Sequence, residues 1–143
     1  MSGMTKIVKT VAKLVASTII IFGLYLVLHG HLTPGGGFAG GVIIASAFIL
    51  LTLAFGKDKP SSVLNRSLAS ILESDGGLIL ISIALLGFAG GYFFLNFLPK
   101  GYPFKILSDG IIPILDIAIG IIVAAALFLA FMALSMFRMK GKE

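Results

Sequence analysis

Few side chains in this sequence could do chemistry. Two histidines, His29 and His31, stand two residues apart, and Asp116 is an acid set inside an otherwise apolar run. Imidazoles titrate near neutral pH and can hand on a proton. A carboxylate among apolar residues can hold a proton or a cation. Most other chemistries are excluded by composition. With no cysteine, disulfides, haem thioethers, iron–sulfur clusters and thiolate zinc sites are ruled out. No acidic residue neighbours the histidines in sequence, so no metal constellation is visible. No nucleophile–base arrangement can be found, and Gly35-Gly36-Gly37 lacks the Lys-Ser/Thr that would follow in a phosphate loop. The chain is therefore not expected to be an enzyme in its own right, nor to carry a cofactor.

The elements that position these residues follow from hydropathy. The chain has 143 residues, of which 58% are hydrophobic and 12% charged. Mean hydropathy is +1.11. Soluble domains run nearer 25% charged, and a fold this small could not hide so much apolar surface. The chain is an all-α integral membrane protein. A net charge of +5 invites a nucleic-acid reading, but the basic residues lie in short clusters beside apolar runs, as membrane-flanking charges do.

Leu14 to Gly56 contains no formally charged residue, room for two spans and a tight hairpin. The hairpin falls where breakers cluster, at His29 to Gly37. A span of Leu14 to Leu28 would rise only ~22 Å, so the first helix starts near Thr10, with Lys9 and Lys13 snorkelling to the headgroups. Thr33 is expected to cap the second helix and Pro34 to open it. The four spans are placed at about 10–31, 36–56, 76–98 and 111–137, as one membrane domain. In the loop before the third span, Pro60-Ser61-Ser62 signals a helix start. Leu64, Leu68, Ile71 and Leu72 follow at helical spacing, so an interfacial helix or a docking face is expected there. Glu73 and Asp75 read as boundary charges at the mouth of the third span.

Nine of the 11 lysines and arginines lie on the side of the termini and the 57–75 loop, and only Lys100 and Lys105 on the other. Both termini are therefore expected in the cytoplasm. Small residues recur at four-residue spacing. Gly36/Gly40, Gly37/Gly41 and Gly41/Ala45 lie on the second span, Gly87/Gly91 on the third and Gly120/Ala124 on the fourth. Such pairs permit close helix approach and are expected to face neighbouring subunits. Asp116 has two readings. It serves an ion path or an inter-subunit contact, or it sits in the first turn of a helix opened by Pro113, where the positive helix end favours an anion.

The run His29-Gly30-His31-Leu32-Thr33-Pro34-Gly35-Gly36-Gly37-Phe38-Ala39-Gly40-Gly41 resembles the signature of the MnhB/MrpB family, the B-type subunit of multisubunit Na⁺/H⁺ antiporters. That family is also similar to subunits in the antiporter-like module of archaeal membrane-bound hydrogenases and sulfur-reducing complexes. The likeness extends over roughly residues 6–137 and includes Leu115-Asp116. It implies an accessory subunit in the cell membrane, working beside other membrane subunits that move Na⁺ or H⁺. Asp116, His29 and His31 are then the ion-path candidates, and Pro34, Gly35, Gly36, Gly37, Phe38, Gly40 and Gly41 the structural signature. Two other readings stand beside it: a small four-helix exporter acting as a dimer, and a purely structural assembly subunit. The exporter would need an acid deep in a helix, and the first span has none.

Overall fold

In a computed structural model, the chain folds into four helices: α1 (Lys6–Leu28), α2 (Gly36–Phe55), α3 (Arg66–Ala89) and α4 (Ile112–Lys140). The structure describes residues 4–30, 32, 34–56, 65–96, 98 and 110–140, the last five by backbone alone. All four helices are long and apolar enough to cross a bilayer, and no strand occurs among the described residues. This is a multi-pass membrane protein. Helices are what these sequences must form, because hydrocarbon offers the backbone no hydrogen-bonding partner. Hydroxyl side chains obey the same constraint. Thr10, Ser17, Thr18, Thr52 and Ser82 each donate to the carbonyl four residues earlier, at 2.7 to 3.1 Å.

The order across the bundle is α1, α2, α4, α3, with α3 packed on α4. α1 and α2 form an antiparallel hairpin, tied at its far end by the Met4 amide donating to the Ala54 carbonyl at 3.0 Å. The buried positions are mostly small: Ala12, Ala16, Ala45, Ala47, Ala54, Ala69, Ala84, Ala118 and Ala125. Lipid gives no hydrophobic incentive to bury large side chains, so close backbone approach and dispersion hold the bundle together. Phe128 is the largest of the exceptions, fully enclosed and meeting Phe48 edge-on at 6.3 Å between centroids.

Several boundaries differ from the sequence expectation. α3 begins at Arg66 and ends at Ala89, ten residues before the expected start and nine before the expected end. The interfacial helix does not form separately from Arg66 onward. Leu68, Ile71 and Leu72 belong to the first turns of α3 and are exposed along it. Residues 57–64, which hold Pro60, Ser61, Ser62 and Leu64, lie outside the described residues. Past Ala89 the chain turns back, and the Asn96 side-chain oxygen accepts from the Ile111 amide at 3.2 Å, capping the start of α4. α2 also starts differently. Gly35 is its cap residue and Gly36 its first helical residue, so Pro34 precedes the helix. Thr33 lies outside the described residues.

Candidate functional site: an aspartate in a glycine cradle

The N-terminal end of α2, the C-terminal end of α1 and the beginning of α4 meet at one end of the bundle, and Asp116 lies where they converge. It is half-buried. Its Oδ1 accepts from the Gly37 amide at 3.3 Å. Its Oδ2 is buried and has no hydrogen-bond partner among the described residues.

Three glycines make this placement feasible. A Cβ on Gly30 would stand 2.5 Å from Oδ2 of Asp116 and one on Gly36 3.1 Å from Oδ1. One on Gly37 would come within 3.0 Å of the Asp116 backbone. Gly36 also holds φ +56°, a conformation that side-chain-bearing residues rarely adopt. The glycine run therefore lets a carboxylate from another helix reach the first turn of α2. The first amides of any helix lack partners within it and carry partial positive charge, so an anion is favoured there. α2 has no side-chain cap of its own, and Asp116 supplies one from α4.

Of the two readings of Asp116, the one that places it in the first turn of its own helix does not hold. That turn holds no acidic residue, because α4 already starts at Ile112, one residue before Pro113. A positive helix end does stabilise the carboxylate, but it belongs to α2.

The other candidates fall into three groups. His29 ends α1; its Nδ1 lies 3.1 Å from the Tyr25 carbonyl oxygen and its ring stacks on Tyr25 at 4.3 Å. It directly precedes Gly30, one of the glycines of the Asp116 cradle. His31 lies outside the described residues. Phe38 points outward, 63% exposed, and Pro34 and Gly35 are exposed at the turn.

The small-residue faces are used inside the chain, contrary to the expectation that they face other subunits. A Cβ on Gly40 would meet Val27 and the Gly23 carbonyl oxygen of α1, and one on Gly41 the Gly120 carbonyl oxygen of α4 at 2.7 Å. Gly36 and Gly40, expected on one face, turn to different neighbours. Gly87 packs against the backbone of Tyr92, Phe94 and Leu95, while Gly91, at φ +104°, meets nothing among the described residues. That pair shapes the turn after α3 and does not join two helices. Sequence reasoning missed Gly30, Gly23, Gly76 and Asn96. Gly30 was legible as a glycine between two histidines, and Asn96 as the lone amide in an apolar run. Gly23 and Gly76 have no small partner four residues away that would have flagged them as a pair.

Comparison with known proteins gives a consistent picture. Residues 7–129 match a domain related to the MnhB subunit of Na⁺/H⁺ antiporter. The chain is 41% identical over 138 residues to the uncharacterized protein MJ1307 of Methanocaldococcus jannaschii, covering 92% of this chain and 52% of that protein. It is 53% identical over 49 residues to the putative antiporter subunit mnhB2 of Staphylococcus saprophyticus, covering 34% of this chain and 35% of that protein. Among solved structures, a chain of the membrane-bound sulfane sulfur reductase, an archaeal respiratory membrane complex, matches with a TM-score of 0.75 and 34% identity, covering 87% of this chain and 55% of that chain. This chain thus spans about half the length, or less, of the relatives it matches.

Proposed function

Because the chain belongs to the MnhB family, whose domain it matches over residues 7–129, we propose that it is a non-catalytic accessory subunit of a multisubunit cation/proton antiporter module. The setting is a stand-alone antiporter or the ion-translocating arm of a sulfur-reductase- or hydrogenase-like membrane complex. Likeness to a putative antiporter subunit supports the first, and likeness to a respiratory membrane complex supports the second. Its partners are other membrane subunits, and Na⁺ or H⁺ moves through the assembly. It sits in the cell membrane with both termini in the cytoplasm, a reading that rests on the lysine and arginine asymmetry.

The observation that carries a direct role in ion movement is the buried, unbonded Oδ2 of Asp116. A carboxylate that only capped α2 would need one oxygen bonded and the other free to reach water. Here, among the described residues, the second oxygen is enclosed without a donor, a costly arrangement that a passing proton or cation relieves. Asp116 is the ion-path residue in this reading, with His29 and His31, the sequence neighbours of the cradle glycine Gly30, as further candidates.

A structural reading is favoured by the bond from Gly37, which alone gives Asp116 a task as a staple between α2 and α4. Asp116→Asn separates the two, because the amide oxygen still accepts from Gly37 while the charge and the transferable proton are lost. Tagged protein should co-purify with several membrane subunits in mild detergent. In vesicles holding the intact complex, Asp116→Asn should abolish the Na⁺-dependent pH change. An assembled complex with unaltered transport would leave only the staple. The purified single chain should produce no pH change, and antiport by it alone would favour the exporter.

A further inference from the structure

At the opposite end of the bundle two cations converge on one ring. The ammonium of Lys9 lies 5.8 Å and that of Lys13 5.2 Å from the centroid of Phe55, the last residue of α2. Side chains on a helix lean toward its N-terminus, which carries Lys13 back from its Cα, two turns into α1, to the level of the headgroups. The ring face attracts each ammonium, and the C-terminal end of α2 adds about half a negative charge. Those two sources cannot neutralise two full positive charges held at one ring. Among the described residues no carboxylate bonds either lysine.

The surface beside them is graded along the helix axis. Lys6, Thr10, Lys13, Ser17 and Leu24 fall within one stripe of α1 at helical spacing, and all are exposed. The stripe is cationic and hydroxylated at the helix mouth and apolar farther in, where Leu24 is 49% exposed. That gradient matches the one along a phospholipid, from phosphate to acyl chain. Basic pockets between membrane helices are where anionic headgroups bind.

We propose that the mouth of the α1–α2 hairpin is a binding site for an anionic phospholipid. Its phosphate is held by the Lys9 and Lys13 ammonium groups beside Phe55, and an acyl chain runs along the stripe toward Leu24. The site is independent of the Asp116 reading.

Native mass spectrometry of the full chain from mild detergent tests it, with phosphatidylglycerol and phosphatidylcholine of identical acyl chains as probes. Phosphatidylglycerol should stay bound at concentrations where phosphatidylcholine is lost. A lysine near the membrane surface is worth about fivefold in such attraction, so Lys9→Gln with Lys13→Gln should lower retention about 25-fold. Lys9→Arg with Lys13→Arg should preserve it. Should the double glutamine variant fail to fold, the exposed Lys13→Gln alone should lower retention about fivefold. Equal retention of the two lipids, or unchanged retention in the glutamine variants, would overturn the site. Displacement of the lipid by millimolar inorganic phosphate would reassign it to the free anion.

Discussion

Replacing Gly37 by alanine tests whether α2 and α4 meet backbone to backbone. A Cβ there would stand 2.9 Å from the carbonyl carbon of Asp116 and 3.0 Å from its Cα, and closer still to its carbonyl oxygen. Non-bonded carbons settle at about 3.5–4.0 Å, so the helices must part by roughly half an ångström or more. Backbone cannot swing aside as a flexible side chain can. Overpacking of this kind costs about 1–3 kcal/mol. Parting the helices also lengthens the Gly37 to Asp116 bond, already 3.3 Å, and a hydrogen bond to a charged group contributes about 1.5–3 kcal/mol. The two effects share one displacement and do not simply add, so a net loss of about 2–4 kcal/mol is expected. Gly77→Ala is the matched control. Among the described residues nothing lies within 4 Å of a Cβ at Gly77, so alanine there should gain up to about 1 kcal/mol of helix propensity. Equilibrium unfolding in mixed micelles, followed by circular dichroism, measures both variants. If Gly37→Ala proved as stable as Gly77→Ala, the close approach of α2 and α4 would be refuted.

Other outcomes follow from the same geometry. Asp116→Asn should change unfolding stability by less than about 1 kcal/mol, because asparagine caps as well as aspartate, whereas Asp116→Ala should cost about 1–2 kcal/mol in the same assay. Asn96→Ala removes the acceptor for the Ile111 amide and should cost about 1 kcal/mol, with Asn96→Asp largely retaining it. Gly41→Leu should destabilise the isolated chain, since a Cβ there already meets the Gly120 carbonyl oxygen at 2.7 Å; an effect seen only in the assembled complex would return this face to a partner subunit. Cysteines placed at Leu32 and at Asn65 should be labelled from opposite sides of the membrane, Asn65 from the cytoplasm, and reversed labelling would invert the orientation.

Helix type and number were legible because uncharged runs long enough to cross a bilayer leave the backbone one solution. Boundaries were less so. α3 starts ten residues before the uncharged run, because charged residues such as Glu73 and Asp75 are tolerated near the ends of a membrane helix. The small-residue pairs were visible, but spacing along one helix cannot say which neighbour a face meets. Gly36 and Gly40 share a four-residue interval and yet turn to α4 and α1 respectively. Asp116 was legible as an exceptional residue through its apolar context. Its partner was not, since Gly37 lies 79 residues away and glycine offers no side chain whose chemistry could be matched to an acid. The positive helix end that favours Asp116 is that of α2, not of its own α4.

What joins the two ends of the bundle is the dipole of α2. Its N-terminal amides are met by a carboxylate from α4, through the Gly37 to Asp116 bond. Its C-terminal end lies beside two ammonium groups from α1, gathered at Phe55. α2 has no acidic residue in its first turn and no basic one in its last, so it supplies neither compensating charge itself. A flanking charge of the opposite sign stabilises each end of such a helix. An apolar helix between two neighbours is thereby oriented by charges it borrows from both. Removing Asp116's charge would weaken one end of this arrangement while leaving the other intact. Asp116→Asn should therefore loosen the Gly37 end selectively. Hydrogen exchange measured in nanodiscs should show faster exchange of the first amides of α2 in this variant, with those near Phe55 unchanged. Equal acceleration at both ends would mean that the bundle opens as a unit and that the two charge contacts do not act separately.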